Sequence, residues 1–209
     1  MNQFSAPVRT INCDDIASSP EFVRLSAING LRVDLRYATP HNFMNRDMYS
    51  PLDCAWVHVD AAAALNTAIE SLKVVRPDVS VVVLDALRPH RVQEAMWKAL
   101  EGTPLTQYLA NPARGSIHSY GMALDVTLLD SSGAELDMGT PFDDMTELSH
   151  PALEDGFLHN GKLSKAQVDN RLLLRSAMTQ AGFHGISTEW WHFDCGDRQH
   201  VRDTFARVL

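Results

Sequence analysis

The chain has 209 residues, 45% hydrophobic and 21% charged, with a formal charge of −8. That is an ordinary globular composition with enough apolar surface for one substantial core, so a single domain over residues 1–209 is the expectation. An acidic chain without a dense basic face excludes a nucleic-acid binder, because neutralising phosphates takes clustered Lys and Arg. The start MNQFSAPVRT lacks the basic-then-apolar pattern of a secretory leader. No apolar run approaches the roughly 20 residues of a membrane span. A cytoplasmic protein without a membrane partner is therefore expected. Cys13, Cys54 and Cys195 form no CxxC pair, which points to reduced thiols rather than a disulfide framework or a thiolate zinc knuckle.

Residues 1–30 carry no pattern to which a role is assigned. LRVDLRY then alternates, with Leu31, Val33, Leu35 and Tyr37 on one face, and predicts a half-buried strand. A loop follows, rich in Pro, Asn and Ser. From Asp60, the spacing of Ala62, Leu65, Ile69 and Leu72 predicts an amphipathic helix that Pro77 stops. VSVVVLDA, residues 79–86, is a β-branched run suited to a strand covered on both faces. Pro89 then suits the first turn of a helix with Val92, Met96, Ala99 and Leu100 inward, ended by Gly102.

Residues 103–117 read as loop. MALDVTLL predicts a strand with Met122, Leu124, Val126 and Leu128 opposite Ala123, Asp125 and Thr127. The stretch from Asp130 to Leu163 is irregular and long enough to suggest a functional loop or lid. Ser164 and Gln167 form a capping-box signature for a helix with Val168, Leu172, Leu173, Ala177 and Ala181, and Gly182 as its stop. TEWWHFD reads as a short aromatic strand, and a polar tail closes the chain. Strands and helices that do not alternate regularly favour an α+β fold with a largely antiparallel central sheet flanked by helices.

Three segments carry candidate chemistry. A catalytic zinc takes three protein ligands and keeps a fourth position for water. His118, Asp125 and His192 would fill such a set, the first two arriving from one loop-and-strand unit. The alternatives are a hydrogen-bonded surface histidine and an aspartate that bonds loop amides. In EWWH, Glu189 and His192 are three apart, so both reach one site only if Glu189 lies in the turn before the strand. There an acid would serve as general base; otherwise Glu189 is a solvated acid beside core tryptophans. Arg88, at a strand-to-helix junction, would suit an oxyanion or else bridge to Asp85 or Glu94.

SIHSYGMALD fits an SxHxxGxAxD pattern and EWWH an ExWH pattern, and with DLRYATPHNF, DALRPHR, MGTPFDDM and LRSAMTQAGF the chain resembles the zinc D-alanyl-D-alanine dipeptidases from about residue 31 to 195. The resemblance implies a hedgehog and D-Ala-D-Ala peptidase-like fold and one zinc ion per chain held by His118, Asp125 and His192. It implies Glu189 as the catalytic base and Arg88 as the stabiliser of the oxyanion. Tyr49, Ser116 and Asp143 match positions that hold the dipeptide's termini, Asp143 being suited to the ammonium. The implied substrate is a small D-dipeptide. Its hydrolysis either removes a cell-wall precursor, as in antibiotic resistance, or recycles D-alanine. The rival readings are a peptidoglycan D,D-carboxypeptidase or endopeptidase on the same scaffold, and a non-catalytic hedgehog-like zinc domain. His150 is expected to be structural, and Cys195 to point away from the site. The sequence assigns no oligomeric state.

Overall fold

The computed structural model describes residues 8–209, and its first two strands, β1 (Thr10–Ile11) and β2 (Phe22–Arg24), lie in the segment whose role was open. The alternating stretch LRVDLRY pairs over two residues only, as β3 (Arg32–Val33), and then tightens into a 3-10 helix over Arg36–Ala38. Val33 is 41% exposed, contrary to the half-buried strand expected there. β3 lies at a sheet edge, and the chain leaves that edge so that Leu35 and Tyr37 can pack with Tyr49, Cys54, Val92 and Met96.

β4 (Trp56–His58) runs directly into α1 (Val59–Val75), which buries Ala61, Ala62, Leu65, Ala68, Ile69 and Leu72 as its spacing predicts. β5 (Ser80–Asp85) is buried at every position after Ser80. α2 (His90–Leu100) buries Val92, Gln93, Met96 and Leu100, while Ala99 faces solvent. Gln93 and Ala99 flank the 92–96–100 stripe on opposite sides, and only the Gln93 side meets the core.

β6 (Ala123–Leu129) is buried through Leu128. The following stretch is irregular as expected, except that it contains α3 (Glu154–His159). α4 (Lys165–Gln180) opens with the predicted capping box between Ser164 and Gln167. Its buried stripe is Val168, Arg171, Leu174, Ala177 and Met178. Leu172, expected inward, is 44% exposed, because Arg171 takes the inward position. β7 (Phe183–Gly185) and β8 (His192–Cys195) follow, and the residues expected as a tail form α5 (Arg198–Thr204) and β9 (Arg207–Val208).

The central sheet has the order β3-β5-β6-β8-β7, parallel between β3 and β5 and antiparallel in its other pairs. This is the expected α+β architecture. α1 and α4 pack on each other and on the sheet, enclosing Leu65, Leu72, Val83, Leu124, Val126 and Leu174. Full burial of a Leu or Val contributes on the order of 1.5–3 kcal/mol, so Leu124 and Val126 anchor β6 firmly on both sides of Asp125. β1 pairs with β9 and β2 with β4, so residues 10–24 hold the C-terminal strand against the body. Cys13, Ile16 and Phe22 join Trp56, Leu87 and Val208 in a separate apolar cluster. Among the described residues no helix is long and apolar enough to cross a membrane.

Candidate active site

His118 sits in a 3-10 helix, Ile117–Tyr120, that ends at Gly121. Gly121 has φ +65°, and a Cβ there would lie 2.9 Å from the His58 backbone nitrogen. Only glycine lets the chain turn so tightly from His118 into β6. Asp125 on β6 pairs directly with His192, the first residue of β8, and directly opposed residues in an antiparallel ladder share a face. The result is a small triangle. His118 Nε2 lies 3.2 Å from His192 Nδ1, His192 Nδ1 lies 3.0 Å from Asp125 Oδ1, and Asp125 Oδ1 lies 3.4 Å from His118 Nε2.

These edges fit a metal. Ligand bonds of ~2.0–2.1 Å in tetrahedral geometry put ligand atoms ~3.3 Å apart. The remaining ring nitrogens are also spoken for: His118 Nδ1 is 2.7 Å from the Ala86 carbonyl oxygen, and His192 Nε2 is 3.0 Å from Asp194 Oδ1. With N–H groups donated there, the lone pairs of His118 Nε2 and His192 Nδ1 face Asp125, the tautomers that metal ligation uses. Burial by itself would raise the Asp125 carboxyl, but His118 and His192 hold it well below the usual carboxylate range. Burial lowers the His192 imidazole, and Asp194 and Asp125 outweigh that, raising it well above its ordinary value. A proton held by these carboxylates is what a metal would displace.

Arg88 approaches from the β5-to-α2 junction. A register shift between Val83 and Asp85, where β5 faces β6, brings Asp85 opposite Asp125. Such a bulge re-aims the side chains beside it. Asp85 Oδ2 accepts from Arg88 Nε at 3.0 Å and Nη2 at 2.6 Å, while Gln93 Oε1 accepts from Nη1 at 3.1 Å. Arg88 Nη2 also lies 3.5 Å from Asp125 Oδ2, and the guanidinium sits 4.9 Å over the Tyr37 ring. The bridge to Asp85 thus exists, and it fixes the guanidinium at the cavity wall; Glu94 faces His90 instead.

Glu189 lies in the bend before β8, as a shared site with His192 requires. Burial pushes its carboxyl up to about 8. Its neighbours Trp190 and Trp191 are both buried, and Trp190 Nε1 donates to Thr140 Oγ1 at 2.9 Å. Asp143 has a left-handed φ of +64°, which Asp tolerates better than most residues. Its Oδ1 accepts from Tyr37 Oη at 2.8 Å and its Oδ2 from the Phe43 N–H at 3.2 Å. Burial raises this carboxyl to about 7. The loop that carries Asp143 is pinned by Arg171, which donates to the Met138 and Leu148 carbonyls at 2.6 and 3.0 Å and to Glu154 at 3.3 Å.

His118, Asp125, His192, Glu189, Arg88, Asp143 and Ser116 all line one cavity of about 280 Å³, at the lower edge of the ~300–1,000 Å³ typical of small-molecule sites. Tyr49 does not line it. It is 1% exposed, and its hydroxyl donates to Asp85 Oδ1, so it buttresses the carboxylate that holds Arg88. Tyr37, expected on the apolar face of a strand, occupies the wall instead. Cys195 is buried in the main core, away from the cavity. His150 accepts or donates to the Tyr108 hydroxyl at 3.0 Å. His58 caps α1 by accepting from the Asp60 N–H.

The sequence model of the D-ala-D-ala dipeptidases, peptidase family M15, matches residues 18–209. The chain belongs to this family. It is similar to the D-alanyl-D-alanine dipeptidase of Escherichia coli K12, 37% identical over 180 residues covering 86% of each chain. The D-alanyl-D-alanine dipeptidase of Enterococcus faecium is 31% identical over 199 residues, 85% of this chain and 92% of the relative. That of Synechocystis is 32% identical over 164 residues, 64% of this chain and 66% of the relative. The family consists of zinc-dependent peptidases, so the protein is a hydrolase. Among the described residues of this family member, His118, Asp125 and His192 form the cluster of His, Cys, Asp or Glu able to hold a metal ion.

Proposed function

We propose that the protein hydrolyses D-alanyl-D-alanine, or a closely similar D-dipeptide, to two free amino acids, with one zinc ion held by His118, Asp125 and His192. The observation that carries this reading is the three-ligand triangle sharing one small cavity with Glu189, Arg88 and Asp143. When bound, zinc supplies a Lewis acid for the scissile carbonyl and lowers the pKa of a water towards about 7. Glu189 would take a proton from the attacking water as its oxygen adds to the carbonyl carbon. Glu189 then returns the proton to the amine nitrogen as the C–N bond breaks.

Arg88 serves the developing oxyanion. Asp85, Gln93 and the Tyr37 ring hold its guanidinium in place before the reaction, so little reorganisation is needed as charge builds. Asp143 receives the substrate's ammonium, an opposite charge that offsets the desolvation raising its carboxyl. Ser116 offers a hydroxyl from the other side. Tyr49 acts as a positioning residue through Asp85.

A carboxypeptidase or endopeptidase would need an open groove for a longer peptide, and the small cavity with Asp143 on its wall favours a substrate with a free amino terminus. Hydrolysis of free D-Ala-D-Ala, compared with a pentapeptide ending in D-Ala-D-Ala, tests this directly. The dipeptide is expected to be preferred; preference for the pentapeptide would overturn the proposal. With neither peptide hydrolysed, a Glu189→Ala variant that kept zinc and all measured function would instead favour the non-catalytic domain.

A further inference from the structure

Cys13, Cys54 and Cys195 are free and buried, but their surroundings differ. Cys195 sits in the main core, where burial pushes its thiol up to about 11. Cys13 and Cys54, far apart in sequence, meet. Cys13 opens the 3-10 helix Cys13–Ser18, and its thiol donates to the Asp53 carbonyl at 3.8 Å. The Cys54 thiol, next along the chain, hydrogen-bonds to the Cys13 sulfur. That bond lowers the Cys13 thiol, burial opposes it, and the Arg91 guanidinium lowers it further. The same bond and burial raise Cys54. Access differs as well. Cys13 lines a cavity of about 370 Å³ beside His90 and Arg91, with the exposed Asp14 and Asp15 at its rim. Cys54 does not line it, and packs instead with Tyr37, Tyr49, Val92 and Met96. A thiol biased toward thiolate and open to solvent is the one that small oxidants attack.

The two thiols join separate parts of the fold. Cys13 belongs to the N-terminal segment that β1 and β9 hold against the body, and its N–H donates to the Leu209 carbonyl at 3.3 Å. Cys54 ends the loop that carries Tyr49. In that loop the Leu52 N–H donates to the Tyr49 carbonyl at 2.6 Å, and Leu52 packs against both apolar clusters. Arg24 on β2 pairs with Asp53 nearby. One covalent bond between Cys13 and Cys54 would therefore fasten the paired terminal strands to the loop whose Tyr49 braces Asp85.

We propose that Cys13 and Cys54 form a reversible redox latch, closed by hydrogen peroxide, that ties the N-terminal segment to the loop carrying Tyr49. The Cys13 thiol gives up its proton, and its sulfur attacks one peroxide oxygen. The O–O bond breaks, Cys13 becomes a sulfenic acid, and the departing hydroxide takes up the proton and leaves as water. The Cys54 sulfur then attacks the Cys13 sulfur. An S–S bond forms as the S–O bond breaks, and the Cys54 proton leaves with that hydroxyl as a second water. The two thiols lose two electrons in all, and the peroxide gains them. Because the sulfurs are already in contact, closing the bond asks for little backbone movement. The cross-link spans residues 13–54, so it removes freedom chiefly from the unfolded chain. A dithiol reductant reopens it.

The test treats the purified protein with hydrogen peroxide, alkylates the remaining thiols after unfolding, and maps the peptides by mass spectrometry. The expected product is a Cys13–Cys54 peptide pair, lighter by two hydrogen atoms than the separate peptides and split by dithiothreitol, with Cys195 still alkylated. The melting midpoint should rise by about 5–15 °C on oxidation and return on reduction. In Cys54→Ser the reaction should stop at a Cys13 sulfenic acid that dimedone traps, whereas Cys13→Ser should leave Cys54 unmodified. Neither variant should show the midpoint shift. A wild type without the cross-link, whether unreacted or carried to a sulfinic acid, would overturn the proposal, as would Cys195 reacting as readily as Cys13. So would a cross-link that leaves the midpoint unchanged.

Discussion

Replacing Asp194 should weaken the metal site although Asp194 touches no metal. The side chain is 2% exposed, and its Oδ1 accepts the His192 Nε2 proton at 3.0 Å while Arg198 holds Oδ2 at 2.5 Å. Burial raises its carboxyl, but His192 and Arg198 outweigh that and bring it down to about 2, so it stays charged at neutral pH. This contact fixes the tautomer that leaves His192 Nδ1 free to ligate. Loss of such a partner costs about 10- to 100-fold in metal affinity, or ~1.4–2.7 kcal/mol. Asp194→Ala leaves a buried N–H unpaired and should fall at the upper end. Asp194→Asn keeps the shape and one acceptor and should fall at the lower end, unless its amide turns its NH2 to His192 and imposes the wrong tautomer. Competition with a chromophoric chelator measures zinc affinity, and thermal melting of the metal-free variants checks that they fold. A zinc affinity within about twofold of wild type for Asp194→Ala would refute the reasoning.

Other outcomes follow from the same geometry. Glu189→Gln should retain zinc and lose about 10²- to 10⁴-fold in kcat, measured by D-alanine release. Arg88→Ala strands the buried Asp85 carboxylate, so a loss of about 3–5 kcal/mol in unfolding free energy is expected by denaturant titration. Arg88→Lys should fold better yet remain well below wild-type turnover, because a lysine cannot reproduce the paired donors to Asp85. Asp143 gives two opposite pH slopes. Its folded carboxyl is raised to about 7, above ~3.9 for an unfolded Asp. The native state therefore binds the extra proton, and the Asp143 contribution makes stability fall as pH rises between those values. Asp143→Asn should flatten that part of the stability curve. Ammonium binding needs the charged form, so wild-type kcat/KM should drop as pH falls through about 7. Gly121→Ala should destabilise the fold by at least about 1 kcal/mol, since φ is +65° and the new Cβ meets the His58 nitrogen at 2.9 Å.

His118 and Asp125 were legible because seven residues of loop and strand bring them together without long-range information. The partnership of Asp125 with His192 was not, because it depends on the β6–β8 register, which no single segment encodes. Glu189 was readable only conditionally, and the bend before β8 meets the condition. Asp194 was missed although a signal existed: it lies two residues beyond His192 and so shares its strand face. Asp85 and Glu94 stood as equal partners for Arg88 until the bulge in β5 turned Asp85 inward. Alternation misled at LRVDLRY, where edge placement and the pull of the Tyr49 cluster override the period-two pattern. Likewise, Leu172 looked inward until the buried Arg171 claimed the core-facing side of α4. Strands of two or three residues, such as β1, β2 and β9, are too short to show any period, which is why residues 8–30 show no element in the sequence and the C-terminal segment reads only as a polar tail.

The central claim is a metal held by His118, Asp125 and His192 and required for D-dipeptide hydrolysis. Metal analysis of the purified protein, coupled to D-Ala-D-Ala hydrolysis before chelation, after chelation and after zinc is restored, tests it most directly. One zinc per chain, with activity lost on chelation and recovered with zinc, is the predicted result. Hydrolysis that survives removal of the metal, or a zinc-loaded protein that leaves D-Ala-D-Ala intact, would contradict the account.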